Sequence, residues 1–215
     1  SSTLKNNLDT FPRLLKKEGY KTKAVGKMHF TPTYLDVGFD EMILAEQCGV
    51  GRYDDDYHRY LIKKGLVDKL DMYDHVHKYR EKAPEEYWNC FGAMESMLDE
   101  KDYSTTWIAD RAYESIKDWG EEANLLMVGF IKPHHPFDPP KPWSDLYNPD
   151  ELSLPEGWTE TCFKHDIKHN KGFFPHVDLT EERMKKILAY YYATVSQIDY
   201  QIGRIIDLLK EKDIY

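Results

Sequence analysis

Hydrophobic and polar positions alternate along this chain in a few well-separated patterns. The strongest lies near the C-terminus, where Met184, Ile187, Leu188, Tyr191, Val195, Ile198, Ile202, Ile205 and Leu209 recur at three- and four-residue steps. With Thr180 and "EER" in front of them, they predict a long amphipathic helix. A second helical pattern carries Trp107, Ile108, Ala112, Ile116 and Trp119, capped by Ser104 or Thr105 and stopped by Gly120. A third and shorter one begins at Thr10, with Pro12 in its first turn, Phe11, Leu14 and Leu15 as apolar positions and Gly19 as its stop. Between these helices the period changes. "NLLMVGFI", from Asn124, is an unbroken apolar run of strand length, as expected of a strand buried on both faces. "YKTKAVGK", from Tyr20, reads as a strand from its place behind the first helix.

Helices that each precede a buried strand are the grammar of an α/β protein, here with a mostly parallel sheet flanked by helices. Residues 40–102 interrupt that grammar. They are polar and rich in Tyr, Asp and Lys, with one clear helix over Asp55 to Lys64 closed by Gly65, and they are expected to form a cap or insertion over the strand ends. Residues 139–175 read as loop. The chain starts in a polar run and stops directly after the long helix, so the sheet is expected to be incomplete at both ends.

Composition removes several classes of function. Among 215 residues, 29 Lys and Arg face 38 Asp and Glu, a net charge of −9, and no basic stripe is present to follow a phosphate backbone. No apolar run is long enough to span a bilayer and no secretory signal opens the chain, so the segment reads as soluble, with its compartment open between cytoplasm and periplasm or secretion. Cys48, Cys90 and Cys162 lie far apart without metal or redox spacing.

The chemistry gathers at two strand ends. Lys27 and His29 follow the first strand in "KAVGKMHF", and Lys132, His134 and His135 follow the second in "GFIKPHHPFDPP". Ligands of open parallel sheets bind beyond the carboxyl ends of strands, so the two groups could share a pocket. Lysine is a compact donor to sulfate, phosphate or carboxylate oxygens, and histidine exchanges protons near neutrality. The other reading is that these are solvated loop residues. Against it, the prolines around the histidines restrict the backbone more than an ordinary loop requires.

In their order, "FPRLLKKEGYKTKAVGKMHF" with "GFDE", then "VGFIKPHHPFDPP", then "YYATVSQIDYQIGRIIDLLKE" resemble the sulfatases of the alkaline-phosphatase superfamily. The resemblance is to bacterial members that carry GKMHF in place of GKWHL. It spans the whole chain and is thinnest in the cap. It implies a sulfuric ester hydrolase that uses calcium or another divalent metal and a formylglycine made from Cys or Ser. By position, Lys27 would bind sulfate and nucleophile oxygens, and His29 would help deprotonate the hydrated aldehyde. His134 would serve the leaving group, with Lys132 and His135 as neighbours in substrate binding. The substrate would be a small-molecule or saccharide sulfate ester.

The departures from the family pattern matter equally. Neither the C-x-P-S-R modification motif nor the paired carboxylates of the metal site occur, so residues 1–215 are expected to be a partial sulfatase catalytic domain whose nucleophile and metal ligands lie outside this chain. A phosphodiesterase or phosphonate monoester hydrolase of the same superfamily, or a non-catalytic anion binder, are the alternatives. In "YDDDYHRYL", Asp54 to Asp56 suit a helix start, and Asp55 is also a candidate for substrate contact. His165, His169 and His176 lack the carboxylate that would complete a metal site, His75 and His77 suit a surface pair, and "AYYYATV" suits core and pocket wall.

Overall fold

The computed structural model describes residues 8–46, 54–75, 81–155 and 179–215. Helix α1 (Phe11–Lys17) leads into β1 (Lys21–Gly26), followed by β2 (Glu41–Leu44), α2 (Asp56–Lys63), α3 (Lys69–His75), α4 (Glu85–Asn89), α5 (Ser104–Lys117), β3 (Asn124–Gly129) and the 31-residue α6 (Glu181–Glu211). The three strands form one parallel sheet in the order β2-β1-β3. This is the expected α/β architecture. The segment 40–102 contributes β2 to that sheet and α2 to α4 beside it. β2 was hidden in the sequence because "EMIL" is short and follows a turn-rich stretch.

The core lies where α5 and α2 meet the sheet. Val25, Tyr57, Leu61, Trp107, Ile108 and Ile131 form its centre. α2 starts and stops for visible reasons: Asp55 accepts the amide of His58 as N-cap, and Gly65 follows the last turn with φ +70°. Thr180 caps α6 in the same way, accepting from Arg183 N at 3.2 Å.

Three expectations from the pattern need correction. β3 is only half-buried, with Met127 38% exposed, because it lies at the edge of the described sheet instead of between two strands. α5 starts at Ser104 with Tyr103 at its cap position and no side-chain cap bond, so neither Ser104 nor Thr105 is the cap, and both are buried inside the first turn. On α6 the buried face is mixed: Ile205 packs on the core and Leu188 is buried, as the stripe predicts, but Gln197 and Gln201 are also fully buried on Thr106, Arg204 donates to Asp110 at 3.0 Å, and Val195 and Ile202 stay exposed. Phe11 and Leu14 of α1 are likewise exposed, and that helix is tied down by Arg13, which donates to Leu8 O and Asp36 O.

Candidate functional site

β1 and β3 run in register from Lys21 opposite Asn124 to Gly26 opposite Gly129, so their C-terminal ends stand side by side. The backbones approach unusually closely there. Lys27 N donates to Gly129 O at 2.7 Å, and a Cβ on Gly26 would lie 2.1 Å from Gly129 O. Gly26 also has φ +89°, a conformation that side-chain-bearing residues rarely adopt. Two glycines thus let the loops carrying Lys27 and His134 leave the sheet next to each other.

The loop after β1 turns on His29, whose φ of 59° is left-handed. Its anchor is Glu46, two residues beyond β2 and 2% exposed. Glu46 Oε1 accepts from Met28 N at 3.0 Å and His29 N at 2.9 Å, and Oε2 accepts from His29 N at 3.1 Å. Burial pushes the Glu46 carboxyl above its ordinary range. The two amide donors and Lys27 oppose that shift, and Asp55 adds to it. Lys27 is half-buried and the His29 side chain is exposed.

The loop after β3 is held from the opposite side. Lys132 is 3% exposed and donates to Asp138 Oδ1 at 2.5 Å and to Pro136 O at 2.8 Å. Tyr103 adds a hydroxyl donor to the same Asp138 oxygen at 3.0 Å. Burial raises the Asp138 carboxyl against the pull of Lys132, while the Lys132 ammonium, disfavoured by burial, is held above its ordinary range by Asp138, Asp71 and Asp68. His135 Nε2 donates to Phe91 O at 2.7 Å, and its ring stands edge-on to Phe137. Gly92 makes room for that ring, since a Cβ there would fall 2.5 Å from it. His134 is exposed, with Nδ1 2.6 Å from His135 O. A carbonyl can only accept, so Nδ1 carries the hydrogen and Nε2 is the position for proton exchange with a ligand. Tyr191 of α6 packs on Phe137, which places part of "YYY" against this loop.

Lys27, His29 and His134 therefore emerge at one end of the sheet. The other three sequence candidates are engaged elsewhere: Lys132 and His135 as just described, and Asp55 fully buried, accepting from Glu46 N at 2.9 Å and from His58 N at 2.7 Å, with His58 Nδ1 2.7 Å from its Oδ2. Sequence reading missed Glu46 and gave Asp138 no role. Neither leaves a signal in the sequence, since Glu46 follows the short β2 and bonds backbone amides. Cys48, Cys162, His77, His165, His169 and His176 lie outside the described residues.

A concavity of about 600 Å³ opens at the other end of the strands, around Lys16, Lys21, Lys23 and Trp119. Its lysines are paired with Asp40, Glu122 and Glu41, so it does not offer an anion the uncompensated charge expected of a catalytic pocket. No helix among the described residues is long and apolar enough to cross a membrane.

Comparison with known proteins finds relatives along nearly the whole chain. The chain is 26% identical to an arylsulfatase of Clostridium perfringens, covering 96% of this chain and 44% of that protein. It is 24% identical to a choline-sulfatase of Rhizobium meliloti, covering 95% of this chain and 39% of that one. The structure superposes on a phosphonate monoester hydrolase from Silicibacter pomeroyi with a TM-score of 0.66 at 19% identity, covering 99% of this chain and 46% of the other. That likeness shows a shared fold. The chain spans less than half the length of these relatives. The family model for Sulfatase matches residues 2–215, and the chain belongs to the sulfatase family.

Proposed function

We propose that the protein hydrolyses sulfuric esters, with Lys27, His29 and His134 facing the sulfate group. One observation carries the reading: these three side chains leave adjacent parallel strand ends, across the Gly26–Gly129 contact, while Lys132 and His135 are tied into the loop behind them. An ammonium at Lys27 would offset the negative charge on the sulfate oxygens. His134 would act at the ester oxygen. With its Nδ1–H on the His135 carbonyl, the imidazolium form presents Nε2–H to the departing alkoxide and returns to neutral imidazole. His29 would exchange a proton with the attacking group. The substrate class is a small-molecule or saccharide sulfate ester.

Calcium and formylglycine do not fit the residues described. No three of their His, Cys, Asp or Glu gather closely enough to hold a metal, Glu46 faces two amides, and Asp138 faces an ammonium. Cys90 is buried, with a thiol pushed up by that burial, and "WNCFGA" lacks the modification frame. We propose that both groups come from outside residues 1–215. The chemistry this chain supplies is that of its own cations and imidazoles.

Steady-state assay of the complete protein on an aryl sulfate and on an aryl phosphonate monoester tests the reading. The sulfate should be the better substrate, and His134→Ala should lower its turnover by roughly 10²- to 10⁴-fold, less with activated leaving groups. Preference for the phosphonate, or an equal loss on activated and unactivated esters, would overturn it.

A further inference from the structure

We infer that Glu46 is a positioning residue for Lys27 and His29: its carboxylate fixes the backbone of the "KMH" turn from beneath, and Asp55, itself held by His58, fixes the main chain that carries it. The inference deepens the sulfate ester reading and rests on it only for the identity of the reaction.

Three observations support the assignment. First, two consecutive amides, Met28 N and His29 N, converge on one carboxylate. Successive N–H groups around a left-handed residue form a concavity that binds anions, and here φ of His29 is 59°. The chain fills this nest with its own Glu46, so the amides are spent on holding the turn and the sulfate is left to side chains. Second, Glu46 is held in turn. Its amide donates to Asp55 Oδ2, and Asp55 also accepts from His58 N and His58 Nδ1. Asp55 is fully buried and His58 is 6% exposed, so α2 is joined to the turn through a closed polar chain. Third, the left-handed backbone of a residue that carries a side chain is unfavourable and persists only where its surroundings impose it. The three hydrogen-bond contacts that the Glu46 carboxylate accepts from Met28 N and His29 N are the imposing contacts.

Alternative duties for Glu46 are excluded by the same geometry. Both oxygens point at main-chain donors, and no group of three metal-ligating side chains is present among the described residues. The Lys27 charge favours the ionised form of this buried acid, which couples the anchor electrostatically to the residue it positions.

Two substitutions separate shape from charge. Glu46→Gln keeps an acceptor oxygen at Oε1 for both amides and removes the charge. Glu46→Asp keeps the charge and withdraws both oxygens by about 1.5 Å, one carbon–carbon bond. In the complete protein, assayed on an aryl sulfate per folded molecule, Glu46→Asp should lower kcat/KM by roughly 10²-fold, the usual effect of a displacement near 1 Å at a catalytic group. Glu46→Gln should lose less than about tenfold, because removing charge alone leaves the turn in place. Amide hydrogen exchange at Met28 and His29 should quicken in Glu46→Asp and stay slow in Glu46→Gln. A residue with only a structural role would lower Tm in both and leave kcat/KM of the folded molecules unchanged.

Equal kcat/KM in the two variants, or unchanged exchange at both amides in Glu46→Asp, would overturn the inference. If Glu46→Asp does not fold, Glu46→Gln decides: loss of protection at Met28 and His29 counts against the anchor, and retained protection upholds it. If the wild-type protein turns over no sulfate ester, the functional reading fails, and the exchange of these two amides still decides the positioning role.

Discussion

The loops that leave β1 and β3 stand side by side, yet buried charges of opposite sign hold them. Below the first, the Glu46 carboxylate collects two backbone N–H groups. Below the second, the Lys132 ammonium donates to a backbone carbonyl and to Asp138. Both anchors present an exposed imidazole, His29 or His134, at the same end of the sheet. The difference lies in what could replace them. A neutral amide can still accept two hydrogen bonds where a carboxylate did, whereas no neutral side chain reproduces the donors of an ammonium. The Lys132 anchor also shares its charge with a buried acid, and the Glu46 anchor needs no buried cation. The loop after β3 should therefore be the more fragile of the two.

The largest effect is expected at Lys132. Lys132→Met would leave Asp138, fully buried, without its cation, and removal of one member of such a pair typically costs about 3–5 kcal/mol. Adding Asp138→Asn should restore much of that, since it removes the uncompensated charge and keeps an acceptor for Tyr103. Urea unfolding of both variants of the complete protein measures it. A double variant no more stable than Lys132→Met would mean that the charge pair is not what makes this loop fragile.

The two histidines offer a sharper contrast within one loop. His135→Ala removes the donor to Phe91 O and empties the space above Gly92, so a stability loss of about 1–3 kcal/mol is expected, with a smaller change in turnover. His134→Ala should do the reverse, because its ring is exposed and its Nδ1 bonds the carbonyl of the next residue. Thermal unfolding beside aryl sulfate kinetics separates them. A variant pair that loses stability and turnover in parallel would remove the distinction between strut and catalyst.

This contrast also marks what could be read from the sequence. The two strand ends were legible because "KAVG" and "LLMVG" each precede Lys and His within a few residues. The parallel α/β sheet follows from the same pattern, and the match to Sulfatase over residues 2–215 agrees with it. Glu46 was not legible, because its partners are backbone amides 17 and 18 positions away and backbone groups leave no residue signature. Asp55 could be read as a helix start, but its bond to Glu46 N depends on how α2 packs beside β2. The apolar stripe of α6 held only in part, for a related reason. Periodicity reports that one face is apolar, not how that face is set against α5, and there Ile205 reaches the core while buried Gln197 and Gln201 on Thr106 leave Val195 and Ile202 exposed. Lys132 illustrates the same limit: a lysine behind a strand can turn outward to a ligand or inward to an acid, and only the position of Asp138 decides.

The smallest effect should be the pH response of the Glu46 anchor, and its sign is fixed. Burial raises the Glu46 carboxyl above its ordinary value of 4.5, so the folded protein holds that proton more tightly than the unfolded chain does. Above pH 4.5, and up to the folded value, the native state binds more protons than the unfolded state, and this acid's contribution to stability declines as pH rises through that window. Below the window both states carry the proton, and above it neither does, so the contribution is level on either side. Glu46→Gln cannot titrate. The stability of wild type minus that of Glu46→Gln, from urea unfolding at several pH values, should therefore fall as pH is raised from 4.5 and then level off. A difference that rises over the same range would mean that the two amide bonds and Lys27 outweigh burial. The anchor beneath the β1 loop would then be strongest as a carboxylate, and its replacement by glutamine would be less benign than the comparison with Lys132 implies.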